Sequence, residues 1–267
     1  MEQNVDILVL NRNLGEVTNK LIENLKDLDT VKLFGVIDAG SRHEEISKFT
    51  VVRDDSSFAL ENGLRPNKGF HLGLEWWEEQ ESESQWVLLL PNDSEISNWQ
   101  PKNLFNILKF KSTISAVIPL SPTNPYISIL PENRVALGWN FHEGPIILSS
   151  DFIRERLSQQ KYIFDPENFR GYLSFIELAL QMYSNNQGIV GTDLISFSEN
   201  QTHILKDSQL IGTEPYSDNL RLLVDEGERW LLKKHGITDR WSLELQTRLV
   251  FEEFLRVNPD LAISKLV

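Results

Sequence analysis

The run Trp86 to Ile96, Trp-Val-Leu-Leu-Leu-Pro-Asn-Asp-Ser-Glu-Ile, constrains the fold more than any other stretch of the chain. Four consecutive aliphatics between a tryptophan and a proline read as a strand buried on both faces, which a parallel or mixed sheet covered by helices requires. In open α/β sheets ligands gather beyond the carboxyl ends of the strands, so Asn92, Asp93, Ser94 and Glu95 are expected at a ligand-facing rim. Read alone, Pro-Asn-Asp-Ser is also ordinary turn chemistry. The rest of the chain favours the rim.

Val5 to Leu10 is a first buried strand, and it runs into the polar turn Asn11-Arg12-Asn13-Leu14-Gly15. Val17, Leu21, Leu25 and Leu28 recur at helical spacing on a helix expected from Glu16. Val31 to Ile37 makes the next strand, ending in Asp38-Ala39-Gly40-Ser41, and this β-α-β alternation predicts parallel pairing. Phe49 to Val52 is a weaker third strand. Asn62 to Gly69 reads as a loop by its Gly, Pro and Asn content, leading into a helix that carries Phe70, Leu74 and Trp77 on one side. Glu78 to Glu83 reads as a solvated connection. These first 96 residues have the character of a nucleotide-binding α/β half, without a Gly-x-Gly-x-x-Gly fingerprint or a phosphate-binding Gly-x-x-x-x-Gly-Lys-Ser/Thr loop.

Beyond Asn98 a helix with Leu104 and Leu108 leads to a strand at Ile114–Ile118 and then to an irregular stretch rich in proline, through Pro131. Ile146 to Leu148 is a short strand, and Ser150 or Asp151 is placed to cap the helix that follows. A second helix carries Ile176, Leu180 and Tyr183, and Ile189 to Phe197 returns to strand. From Ser217 onward the chain reads as helical, with Leu220, Leu223, Trp230 and Leu231 in one segment and Leu245, Leu249, Phe251 and Leu255 in another.

With 26 basic and 39 acidic residues the formal net charge is -13, which speaks against a DNA or RNA backbone footprint, so no nucleic-acid partner is expected. An anionic substrate would need local help from a metal ion, backbone N–H groups or a few placed Arg and Lys. The chain has no cysteine, which excludes disulfides, thiolate metal sites and a cysteine nucleophile. Neither a basic, apolar leader nor a run long enough to span a membrane is present, so the expectation is a soluble cytoplasmic protein, or one peripheral at the inner face of the membrane.

Several separated signals now coincide: an Asn-rich turn after the first strand, Asp38 at the end of the second, Asn67-x-Gly69 ahead of a helix, and Asn92-Asp93 after the next strand. With Phe164-Asp-Pro-Glu-Asn-Phe-Arg-Gly-Tyr172 and Ile176-Glu-Leu-Ala-Leu180, the chain resembles the family 2 inverting GT-A glycosyltransferases over roughly residues 5 to 200. The resemblance implies a Rossmann-like, mixed and mainly parallel sheet flanked by helices. It implies a GT-A-like domain over residues 1–205 and a C-terminal helical extension over 206–267. It further implies a nucleoside-diphosphate sugar as donor, a divalent cation (Mn or Mg), and a glycan or lipid-linked acceptor, in the setting of bacterial surface polysaccharide synthesis. Membrane-peripheral or glycan-assembly partners and an oligomeric state stay open.

Carried over residue by residue, Asn11 and Asn13 would lie along base and ribose, and Asp38, assisted by Ser41, would accept hydrogen bonds from them. Asn67 would lie near the nucleotide, with Gly69 permitting close backbone approach. Asn92 and Asp93 stand where the family has its metal motif, and Asp93 is the expected metal ligand. Inversion needs a base to take the acceptor's proton, and the family supplies it from a Glu-Asp pair that is replaced here by Ser174 and Phe175. Glu177 matches a later acidic position; His142 and Glu143 are the other candidates. The histidine that family members place after the last core strand has no counterpart, Ser198 and Glu199 standing there and His203 just beyond. For each candidate base a bland reading competes, as a loop imidazole or a helix-face carboxylate, and the tryptophans Trp76, Trp77 and Trp139 are read either as core or as sugar-stacking faces. Two functions from different classes therefore stand: a transferase, or a non-catalytic binding or scaffold protein that keeps the fold. A nucleotidyltransferase is less favoured, because Asn11-Arg12-Asn13 replaces the Gly-rich basic loop such a chain would need.

Overall fold

The computed structural model describes residues 4–109, 111–141, 144–199, 221–261 and 263–266. In chain order the elements are β1 (Val5–Asn11), α1 (Gly15–Leu25), β2 (Val31–Asp38), β3 (Thr50–Arg53), α2 (Ser57–Asn62), α3 (Pro66–Glu79), β4 (Trp86–Pro91), β5 (Ser94–Trp99), α4 (Pro101–Leu108), β6 (Ile114–Pro119), β7 (Val135–Leu137), β8 (Ile146–Ser149), α5 (Ser150–Ser158), α6 (Ser174–Ser184), β9 (Gly188–Thr192), β10 (Ile195–Glu199), α7 (Arg229–His235), α8 (Arg240–Val257) and β11 (Ser264–Lys265). The architecture is the expected α/β one, its strands mainly parallel, with β7 antiparallel to β9. The chain divides into two compact units, one of Met1–Glu95, Leu148–Gly171 and Glu199–Asn219, the other of Ile96–Ile147, Tyr172–Ser198 and Leu220–Val267. The boundary expected at residue 205 falls outside the described residues.

In the first unit the strands lie in the order β4-β1-β2-β3, all parallel. Val87 to Leu90 are fully buried, as a strand covered on both faces must be. The register pairs Asn11 with Asp38 and Leu10 with Pro91, so the polar residues that end three strands emerge at one edge. Helix α3 buries Phe70, Leu74 and Trp77, and small residues let it approach the strands closely. A Cβ on Gly73 would lie 2.6 Å from the Ile37 side chain. Under this packing sits Asp6, fully buried, whose carboxylate accepts from Trp77 Nε1 (2.7 Å), Ser82 Oγ (2.5 Å), Ser84 Oγ (2.7 Å) and the Leu33 amide (3.1 Å). Trp77 is thus core with its N–H satisfied.

In the second unit the order is β11-β7-β9-β6. Helix α8 packs on α6, with Tyr183 edge-on to Phe251 and Phe254, each at 5.0 Å between centroids. A separate cluster joins Leu173 and Ile176 to Trp230, Leu231, Ile237 and Leu243. No helix among the described residues is long and apolar enough to cross a membrane.

Several local expectations are corrected. Residues 62–69 are not all loop: α2 ends at Asn62 and α3 begins at Pro66, a residue whose fixed φ suits the first helical turn. The cap of α5 is Ser149, whose hydroxyl accepts from the Phe152 amide, rather than Ser150 or Asp151. The strand read across 189–197 is broken at Asp193 and Leu194 into β9 and β10, and β5, β7 and β11 went unread because each is short or polar. On α8 the buried face is Leu243, Thr247, Phe251 and Phe254, leaving Leu245 and Leu249 exposed. That helix offers two apolar stripes, and periodicity alone cannot say which one is covered.

Four donors converge on one buried carboxylate in Asp6, so removing it strands them all. Asp6→Ala is expected to lower the unfolding free energy by roughly 3 kcal/mol in urea titrations, and Asp6→Asn by less, since one acceptor oxygen remains. A change below about 0.5 kcal/mol, the usual span of a surface substitution, would contradict this reading.

Candidate functional site

The polar edge of the first unit is organised around Asn11. Its side chain is fully buried, and its Nδ2 donates to Asp38 Oδ2 (3.0 Å), to the Glu45 carbonyl (3.1 Å) and to Ser41 Oγ (3.3 Å). On the other side Asn11 Oδ1 accepts from Thr18 Oγ1 (2.8 Å) and from Asn92 Nδ2 (3.0 Å). One amide therefore ties the end of β1 to the loops after β2 and β4 and to the buried face of α1. Asp38 and the Asn92-Asp93 turn, 55 positions apart in the chain, are brought to the same edge.

Asp38 is fully buried, and its Oδ1 accepts from the Ser41 amide (2.9 Å) with Arg53 Nε 3.7 Å away. Ser41 Oγ accepts from the Asn13 amide (2.9 Å), and Asn13 Oδ1 accepts from the Arg42 amide (2.9 Å). Asn13 holds φ at 53°, a left-handed conformation that asparagine tolerates better than most residues. The two strand-end loops are thus laced together through side chain to backbone bonds. Arg12, between the two asparagines, turns outward: its guanidinium donates to the Ala59 and Glu61 carbonyls, each at 3.3 Å, and lies against Gly63, where a Cβ would meet it at 1.5 Å. Burial and the neighbouring Arg65 guanidinium lower the Arg12 pKa from its ordinary value, against the pull of Asp38.

Asn67 is buried, and its Nδ2 donates to the carbonyls of Asp165 (3.0 Å) and Asn168 (3.1 Å). The Asn-x-Gly motif and the Phe-Asp-Pro-Glu-Asn segment, about a hundred residues apart in the chain, are therefore joined at the start of α3. The close approach that Gly69 permits is to β1: a Cβ there would lie 2.4 Å from Leu10 Cδ1.

Asn92 has its amide engaged below, with Thr18 as a second acceptor at 3.3 Å. Asp93 is the carboxylate left at the rim. Burial pushes its pKa up to about 6, and the Glu199 carboxylate adds to the rise. A half-buried carboxyl whose ionised form is disfavoured by burial and by a neighbouring carboxylate is a place where a cation would be welcome. Among the described residues no group of three or more His, Cys, Asp or Glu could hold a metal ion by itself. The residues present fit a hard cation of the kind held by one or two carboxylates and completed by substrate oxygens and water.

The candidate bases lie elsewhere. Glu177, on the first turn of α6 in the second unit, is 1 % exposed and holds His235 Nε2 at 2.9 Å and Lys234 Nζ at 3.4 Å, while Gln181 Nε2 donates to the same oxygen. It fastens α7 to α6. His142, Glu143 and His203 lie outside the described residues. Sequence reading gives Thr18 and His235 no role, and names Glu199 only as standing near the place of the family's histidine. Thr18 was the findable one, a polar residue on the buried face of α1 that needed a partner.

No family model and no curated protein matches the sequence. Among solved structures the chain resembles GalNAc-T7 with UDP, GalNAc and Mn2+, at TM-score 0.59 and 11 % identity over 98 % of this chain. The chain spans 55 % of that structure's length. The mannosyltransferase PcManGT from Pyrobaculum calidifontis, in complex with GDP-Man and Mn2+, is found at TM-score 0.49 and 12 % identity, covering 96 % of this chain and 75 % of that one. Glucosyl-3-phosphoglycerate synthase from Mycobacterium tuberculosis, with Mn2+, UDP-glucose and phosphoglyceric acid, is found at 0.49 and 17 %, covering 89 % and 82 %. The fold is the GT-A, Rossmann-like one of the GalNAc-T7 structure, and at 11 % identity the likeness concerns the fold alone.

The Asp93 shift makes a signed prediction for the metal-free protein. A carboxyl whose folded pKa lies above its unfolded value of about 3.8 contributes stability that is present below pH 4 and lost as pH rises through 6. Asp93→Asn, which cannot ionise, should therefore be more stable than the parent above pH 6 by roughly 1–2 kcal/mol, with the difference vanishing below about pH 4. Paired thermal melts across that range check it; a constant difference would place the ionisation elsewhere.

Proposed function

We propose that the chain is a family 2-type, inverting glycosyltransferase that moves a sugar from a nucleoside-diphosphate sugar to a glycan or lipid-linked acceptor. The observation that carries this reading is the Asn11 node, which sets Asp38 and Asp93 at one edge of a GT-A fold. In this reading the nucleoside lies over the Asn13 and Asp38 loops, held in shape by Ser41 and Asn11. Asn67 keeps the Asp165–Asn168 segment against that site. A divalent cation, Mn or Mg, held by Asp93 with Glu199 nearby, would supply positive charge to the leaving diphosphate, which an acidic protein needs. In the reaction the acceptor oxygen bonds to the anomeric carbon, the bond from that carbon to the diphosphate breaks, and the acceptor proton passes to a base. Surface polysaccharide synthesis is the cellular setting the resemblance suggests.

A second reading, nucleotide-sugar or glycan binding without transfer, is favoured by a specific observation. The family's base positions carry Ser174 and Phe175, and Glu177 is buried against His235. A carboxylate tied to an imidazole and an ammonium inside a helix pair is poorly placed to receive a proton from a substrate.

Calorimetric titration with UDP, GDP and dTDP, each with and without manganese, is expected to show metal-dependent binding of one of them, weakened at least about ten-fold by Asp93→Ala. Binding by none would contradict donor recognition and leave the fold with a different use. Binding without transfer to any acceptor tried, in a protein with an intact donor site, would favour the second reading.

A further inference from the structure

The second unit carries a cavity of about 100 Å³ that the donor site does not use, lined by Tyr126, Gly138, Trp139, Asn140, Phe141 and Leu266. At the ~10–15 Å³ that one water needs, it has room for a ring-sized ligand. Its walls are fixed from beneath. The Gly138 carbonyl accepts from the buried Tyr183 hydroxyl at 2.5 Å. Phe141, 6 % exposed, lies on two glycines: a Cβ on Gly138 would stand 2.7 Å from its ring and one on Gly191 2.6 Å. A side chain at either position would displace the ring. Leu266 is anchored by its amide to the Leu137 carbonyl (2.7 Å), and Tyr126 by its amide to Asn124 Oδ1 (2.9 Å).

The chemistry of this lining selects a ligand class. Tyr126, Trp139 and Phe141 bring three aromatic side chains to the lining, and the exposed Asn140 amide offers a donor and an acceptor side by side. The tyrosine hydroxyl is the only ionisable group among the lining residues, so neither an anion nor a cation finds a counter-charge. A pyranose combines these properties: neutral, ring-sized, with C–H faces that suit aromatic rings and neighbouring hydroxyls that suit one amide. We propose that the Tyr126–Trp139–Asn140–Phe141 cavity is a carbohydrate subsite that holds one neutral pyranose unit. Its role as the acceptor's subsite rests on the glycosyltransferase reading; its binding of sugar does not.

Saturation-transfer NMR with methyl hexopyranosides and short oligosaccharides, on the full chain without nucleotide, tests this. Millimolar binding of at least one saccharide is expected, weakened about ten-fold by Trp139→Ala and by Asn140→Ala and kept within about three-fold by Trp139→Phe, which retains a ring. The uridine, guanosine or thymidine diphosphate that binds the parent serves as a folding control, since none of these variants changes a residue assigned to the donor, and a retained cooperative thermal melt serves the same purpose if none binds. No transfer to any saccharide, transfer unchanged in Trp139→Ala, or equal transfer to cyclohexanol or to choline would each overturn the proposal. Sugar binding in a protein that binds no nucleotide would uphold this subsite while the donor reading failed; nucleotide binding without sugar binding would do the reverse.

Discussion

Everything at the polar edge of the first unit depends on a single carboxamide. Asn11 is the last residue of β1, and parallel pairing sets it beside Asp38 on one flank with β4 on the other. A buried amide has to satisfy both its donor and its acceptor, because a stranded polar group costs more than a typical hydrogen bond returns. Here it does so by reaching Asp38, Ser41 and Glu45 with its nitrogen, and Thr18 and Asn92 with its oxygen. The same bonds that remove the penalty fix the loops in which Asp38 and Asp93 stand. Stability and site geometry are one requirement at this position, and Asn11 positions the groups above it.

The strand framework was legible in the sequence because burial on both faces leaves a strong mark. Val5–Leu10, Val31–Ile37 and Val87–Leu90 could hardly be anything but central strands, and their order with the intervening helices implied parallel pairing. The polar residues at their ends then followed from topology. What the sequence could not supply was the direction each polar side chain takes. The resemblance sets Asn67 and Gly69 near the nucleotide, and the structure adds that Asn67 clasps the Asp165–Asn168 segment and that Gly69 makes room for Leu10.

The misread elements share a physical cause. The short strands β7 and β11 hold two or three residues each and depend on the pairing partner for their identity. The terminal helix carries apolar residues on two stripes, and tertiary packing chooses Phe251 and Phe254 over Leu245 and Leu249. Glu177 was singled out as an acid near a family motif. Its burial against His235 depends on α7, fifty-eight positions later, which no local pattern announces.

We propose that a nucleoside diphosphate seats on the edge organised by Asn11. Hydrogen–deuterium exchange with and without nucleotide and manganese tests it most directly. Slowed exchange is predicted in peptides covering residues 9–14, 37–44 and 90–95, where the three strand-end loops meet. Slowed exchange confined to other peptides, with these three unchanged at saturating nucleotide, would contradict it.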